Sequence, residues 1–128
     1  MAFKIIYVLF IFIGICIVII WTRDILTNPF IDLSGGFFAA RDKESGKLFW
    51  PHWFAEYITS FLLILAPILV FFNCEPGYRL MHFAAGALFY TSLNSLGWTF
   101  ASKERIPYTI PITFALVVSA VYLILLIN

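Results

Sequence analysis

Charged residues are scarce in this sequence: they make up 12% of its 128 residues, whereas 62% are hydrophobic. Soluble domains carry about 25% charged residues. A soluble fold of this composition would have too little polar surface to cover itself, so we expect the lipid bilayer to be its solvent. The formal net charge is +1. This gives no electrostatic basis for binding nucleic acid, and no such partner is predicted.

Cysteines and the motifs of common enzyme classes are also few or absent. Cys16 and Cys74 are the two cysteines, and they lie too far apart for a metal motif or a disulfide framework. The sequence contains no phosphate-binding glycine loop, no dinucleotide-binding motif, no HExxH zinc motif and no CxxC pair. No order of serine, histidine and aspartate indicates a hydrolase. We therefore predict no cofactor, no metal site and no catalytic residue.

Four long apolar runs follow one another along the chain. Each has about the 20 residues that cross a hydrocarbon core of roughly 30 Å. Backbone N–H and C=O groups would find no water there, so each run should form an α-helix. The sequence therefore predicts an all-α, polytopic membrane protein, with residues 1–128 as one domain of four antiparallel transmembrane helices. The predicted helices cover residues 3–21, 53–72, 80–100 and 107–127.

The first connection, residues 22–52, is much longer than the others, and loops of that length usually contain structure of their own. Its middle is charged (RDKESGK, residues 41–47). This pattern predicts a hairpin or a helical turn with its charged tip in water. Aromatic residues are enriched at the headgroup layer of a membrane. We therefore expect that layer to hold the aromatic residues on both sides of the charged tip, namely Phe37, Phe38, Phe49 and Trp50.

Lysine and arginine are distributed unequally between the two sides of the predicted bundle. The first and third connections, 22–52 and 101–106, hold six of these residues. The opposite side holds only Lys4 and Arg79. Basic residues favour the cytoplasmic side of a membrane. The sequence therefore predicts an integral protein of the cell membrane, with both of these connections in the cytoplasm and both termini outside.

One carboxyl group stands out inside a predicted span. Glu56 lies about one turn inside the second helix, with His52 four residues earlier and Ser60 four residues later on the same face. Ionisable groups at such a position are costly, so they indicate a functional site by default. The Glu56 side chain can be protonated, or it can be ionised opposite a cation such as His52.

Polar residues of the third and fourth helices fall at a similar depth in the predicted membrane. The third helix ends, and the fourth begins, on the membrane side where the second helix begins. These residues should therefore approach Glu56 in the cytoplasmic third of the bundle. We predict a direct contact of Glu56 with Asn94 or Ser95. The structural alternative is that this bond only fixes two helices against each other, a contribution of about 0.6 to 2 kcal/mol. The full set of candidates for a ligand or proton site is His52, Glu56, Ser60, Asn94, Ser95, Thr109 and Thr113.

A glutamate opens the apolar helix of the stretch from Trp53 to Arg79 (WFAEYITSFLLILAPILVFFNCEPGYR), and a short turn with an arginine follows it. With four helices in a chain of this length and a long first connection, the sequence resembles the DoxX-like group of small membrane proteins. This resemblance implies a four-helix membrane bundle. It also implies an association with redox-related membrane complexes.

Three functional hypotheses follow. The favoured one is a non-enzymatic accessory or binding subunit, because one carboxylate and one histidine are few groups for catalysis. Its polar site around Glu56 would bind a partner helix or a lipid-like small molecule. The second is a small oligomeric proton-coupled transporter or channel in which copies of the chain share a cavity. The third is a membrane enzyme that uses Glu56 and His52 as acid and base on a lipid-like substrate.

Overall fold

The computed structural model of the protein describes residues 2–43, 45–100 and 103–127. Its architecture is helical, as predicted, and each apolar run of the sequence corresponds to one helix. A small hairpin in the first connection adds two short strands. The four α-helices are α1 (Ala2–Thr27), α2 (Trp50–Phe71), α3 (Glu75–Thr99) and α4 (Thr109–Ile127).

Two helices extend beyond their predicted ends. α1 continues past residue 21 to Thr27, and α3 begins at Glu75 rather than at residue 80. Both extensions carry charged side chains, which an apolar pattern does not count as helix. In α3 these charges support the helix, since the Arg79 guanidinium pairs with the Glu75 carboxylate one turn away at 2.7 Å.

The other helix boundaries differ by smaller amounts. α2 begins at Trp50, three residues before the predicted start, with Pro51 in its first turn, where the missing N–H costs nothing. A 3₁₀ helix, Lys103–Tyr108, precedes α4 and occupies most of the predicted third connection. Residues 101 and 102 of that connection lie outside the described residues.

Three helical segments have the length and apolar composition needed to cross a membrane: Phe3–Thr27, Trp50–Phe71 and Arg105–Ile127. α3 has 25 residues and is long enough, but it is the least apolar of the four helices. Serine, threonine and asparagine residues lower its apolar character. Among the described residues, three candidate spans therefore stand out, and the fourth stays a prediction.

The helices pack in sequence order, α1 on α2, α2 on α3 and α3 on α4, whereas α1 and α4 meet at far fewer positions. Gly14 allows the close approach of α1 to α2. A Cβ atom there would lie 2.9 Å from both the Ser60 carbonyl oxygen and Cγ1 of Ile64. The main core runs between the helices and includes Phe10, Leu63, Met81, Leu88 and Tyr122.

The first connection contains a hairpin of two short strands, and a bridge between Arg41 and Leu48 closes the predicted charged turn beside it. Strand β1 (Ile31–Asp32) pairs antiparallel with β2 (Arg41–Asp42), and a 3₁₀ helix, Phe37–Ala39, lies between them. At the end of β1, the backbone N–H of Ser34 donates to the exposed Asp32 carboxylate at 2.9 Å. This hydrogen bond lowers the pKa of Asp32.

A second, smaller core lies under the hairpin and consists of Ile31, Ala40, Phe49 and Trp53. The rings of Phe49 and Trp53 stack with their centroids 5.4 Å apart. Phe49 is therefore buried inside the protein and does not face lipid headgroups, which corrects the sequence expectation for this residue. Phe38 is 69% exposed and fits the predicted interfacial position.

Candidate functional site

Glu56 lies near the start of α2, and its side chain is buried, with only 4% of its surface exposed. The hydroxyl of Ser95 on α3 donates a hydrogen bond to Oε1 of Glu56 at 3.2 Å. The indole N–H of Trp21 on α1 donates a second one. The carboxyl group therefore joins three helices. These contacts offset the cost of taking it out of water, which is several kcal/mol for an unpaired polar group.

Of the two partners predicted for Glu56 on α3, Ser95 makes the contact and Asn94 does not. Asn94 is exposed on the outer face of α3, and including it in the cluster was wrong. The reason is the rotation of the helix. Thr91, Ser95 and Thr99 are spaced by four residues and are all buried, so they define the inner face of α3. The residue beside Ser95 then points about 100° away from it.

His52 and Ser60 flank Glu56 on α2 but take different roles. His52 is half-buried, and its ring packs edge-on against Trp21, with the centroids 4.8 Å apart. His52 and Glu56 thus share Trp21 as a neighbour. Ser60 is buried, and its hydroxyl donates to the backbone carbonyl of Glu56 at 2.7 Å. Its hydrogen-bonding capacity is used within its own helix.

The two predicted threonines of α4 lie in different environments. Thr109 is half-buried, and its hydroxyl donates to that of Thr99 at 3.4 Å, which links the start of α4 to the end of α3. Thr113 is exposed and lies on the outer surface of α4, together with Ile110 and Val117. Its predicted place beside Glu56 was wrong. The inner face of α4 at this depth carries Pro111, Ile112 and Ala115 instead.

A cavity of about 140 Å³ opens beside Glu56, between α1, α3 and α4. It follows α1 from Phe12 to Asp24, a distance of about 18 Å at 1.5 Å per residue. The Phe12 end is apolar, with Ile13, Leu88, Phe114 and Ala115 in its walls. Polar side chains concentrate near the other end, namely Asp24, Glu56, Ser95, Thr99 and Tyr108.

Asp24 belongs to this site, and reasoning from the sequence missed it. Its Oδ1 accepts a hydrogen bond from the Asn28 side-chain amide at 3.2 Å. Its Oδ2 is buried and has no hydrogen-bond partner within the described part of the chain. The signal was available, because Ile17, Trp21 and Asp24 share one face of a helix that continues past residue 21. Ending the predicted helix there removed Asp24 from consideration.

The whole chain, residues 1–128, matches the family model for a domain of unknown function, DUF8058. The chain belongs to this family. Comparison with curated proteins and with solved structures gave no match. The description of the DUF8058 family assigns no activity. It does not test the resemblance to the DoxX-like group, which stays a prediction.

The chemistry of this DUF8058 site follows from its donors and acceptors. Among the described residues, no group of three or more histidine, cysteine, aspartate or glutamate side chains could hold a metal ion. The cavity combines a long apolar wall with two carboxyl groups at one end. A pocket with mostly apolar walls and a few converging polar groups suits a molecule that has an apolar body and a polar head.

Proposed function

We propose that this protein is a non-enzymatic integral membrane protein that binds a lipid-like small molecule in the cavity beside Glu56. One observation carries the proposal: the cavity beside the buried Glu56 carboxyl has mainly apolar walls. A purely structural role for Glu56 would need only its bonds to Ser95 and Trp21. The cavity favours a ligand-binding role, because hydrogen bonds that only hold helices together need no empty space beside them.

The membrane topology belongs to the same proposal. All four helices cross the cell membrane, with connections 22–52 and 101–106 in the cytoplasm. The polarity of α3 is compatible with a span, because Thr91, Ser95 and Thr99 are buried against the neighbouring helices. α3 also packs between α2 and α4, which are both apolar. The distribution of lysine and arginine supports this orientation.

The ligand enters sideways from the bilayer. α1 and α4 contact each other at far fewer positions than the sequential helix pairs do, and the cavity lies along this seam. An amphiphile already dissolved in the membrane would reach the cavity there without crossing water.

The cavity contains its own reporter for binding, because Cys16 lies in its wall. We suggest a Cys74→Ser variant in lipid nanodiscs, in which Cys16 is the remaining cysteine. The rate at which Cys16 reacts with a membrane-soluble maleimide is then measured against increasing concentrations of single-chain amphiphiles. Occupation of the cavity should slow the reaction in a saturable way.

Ala115→Leu provides the control, since Ala115 is buried in the cavity wall and a larger side chain there takes up its space. In this variant amphiphiles should no longer produce a saturable change in the Cys16 reaction. If no amphiphile slows the reaction in the Cys74→Ser protein, the proposed ligand-binding function is wrong.

A further inference from the structure

The polar end of the cavity contains two carboxyl groups. Asp24 on α1 and Glu56 on α2 both line it. A salt bridge joins Arg79 to Glu75 at the opposite end of the bundle. The Arg105 guanidinium interacts electrostatically with Asp24. A cationic head group could pair with these carboxyl groups.

The hydrogen bonds at this end point to the same kind of ligand. The Glu56 carboxyl accepts from Ser95 and Trp21, and Asp24 accepts from Asn28. The buried Oδ2 of Asp24 is an acceptor without a donor in the described part of the chain. A bound head group that donates hydrogen bonds would satisfy this atom, and a charged donor would form the stronger bond.

The remainder of the cavity suits a hydrocarbon chain. From Asp24 it continues along α1 past Ile20, Ile17 and Ile13 to Phe12, over about 18 Å. An apolar space that extends along one helix can take an unbranched alkyl chain.

We propose that the ligand is a single-chain amphiphile with a protonated amine head, which donates hydrogen bonds to Asp24 and Glu56 while its alkyl chain lies along α1 towards Phe12. This inference rests on the proposed ligand-binding function. It adds the chemical class of the ligand and assigns Asp24 as a binding residue.

The test compares three amphiphiles with the same chain: dodecylamine, dodecanol and dodecanoate. Each is titrated into the Cys74→Ser protein in nanodiscs of zwitterionic lipid, and the reaction rate of Cys16 is measured. Dodecylamine should protect Cys16 at a concentration about ten-fold lower than dodecanol, because its head forms charge-assisted hydrogen bonds. Dodecanoate should protect least, because its carboxylate would lie beside two carboxyl groups.

Three variants, Asp24→Asn, Glu56→Gln and Asp32→Asn, each replace one carboxyl group by an amide. Asp24→Asn should remove most of the advantage of dodecylamine over dodecanol, whereas Asp32→Asn should preserve it, since Asp32 lies in the exposed hairpin away from the cavity. Equal protection by all three amphiphiles would overturn the amine assignment while leaving ligand binding intact. An advantage that survives in both Asp24→Asn and Glu56→Gln would also overturn it. No protection by any amphiphile would reject the proposed function itself.

Discussion

At the scale of single residues, Glu56 is held by donors from two other helices, Ser95 on α3 and Trp21 on α1. A buried donor that loses its acceptor keeps the full cost of its desolvation. The contribution of Glu56 to stability therefore depends on the presence of an acceptor oxygen at this position more than on its charge.

Glu56→Leu should lower the free energy of unfolding by about 1–3 kcal/mol, because it leaves the Ser95 hydroxyl and the Trp21 indole without their acceptor. Glu56→Gln should cost less than about 1 kcal/mol, since its amide oxygen still accepts from Ser95. Unfolding titrations in mixed detergent micelles measure both changes. A Glu56→Leu protein as stable as the wild type would mean that these hydrogen bonds contribute nothing to the fold.

At the scale of helix pairs, the contact of α1 with α2 depends on the absence of a side chain at Gly14. The nearest atoms to a Cβ there include the Ser60 carbonyl oxygen, which belongs to the α2 backbone and cannot turn away as a side chain could. This contact also determines the position of Trp21 and Asp24 relative to Glu56, because all three positions follow from how α1 lies on α2.

Gly14→Ala should separate α1 from α2 and destabilise the protein by about 1–3 kcal/mol, the usual cost of overpacking. Gly86→Ala is the matched control, since a Cβ at Gly86 meets no atom within 4 Å. Alanine favours a helix over glycine by roughly 1 kcal/mol, so this control should be neutral or stabilising. Thermal unfolding of both variants in detergent measures the difference, and equal stability of the two would contradict the close approach at Gly14.

At the scale of the whole molecule, α1 and α4 close the bundle only partly. The proposed entry route, the amphipathic cavity and the position of its polar end all follow from this arrangement. The proposed entry route also requires that the four helices cross the membrane in alternating directions.

Three exposed positions test this topology: Ser45 in the turn after β2, Asn73 between α2 and α3, and Lys103 before α4. Each is changed to cysteine in a protein that lacks Cys16 and Cys74, and intact cells are treated with a membrane-impermeant maleimide. Asn73→Cys should react directly, whereas Ser45→Cys and Lys103→Cys should react only after permeabilisation. If Lys103→Cys reacts like Asn73→Cys, α3 does not span the membrane. If Ser45→Cys and Lys103→Cys react directly and Asn73→Cys reacts only after permeabilisation, only the orientation is wrong.

The sequence by itself determined the helical class of the protein and the approximate position of each helix. Apolar runs of this length leave the backbone no stable alternative to helix in a membrane. It also determined that Glu56 needs a partner, since an unpaired carboxyl group in an apolar interior is too costly. A hairpin or a helical turn in the first connection could be predicted as well, because a charged segment there has aromatic residues on both sides.

Only the tertiary structure decided which groups meet. Asn94 and Ser95 are adjacent, and both faces of α3 carry polar residues, so periodicity alone could not fix how this helix is rotated towards Glu56. Thr113 was misplaced for the same reason, because the rotation of α4 depends on its packing. Asp24 joined the site because α1 continues through charged residues and lies on α2 at Gly14. The cavity itself depends on how far α1 stands from α4, a distance that no local pattern in the sequence encodes.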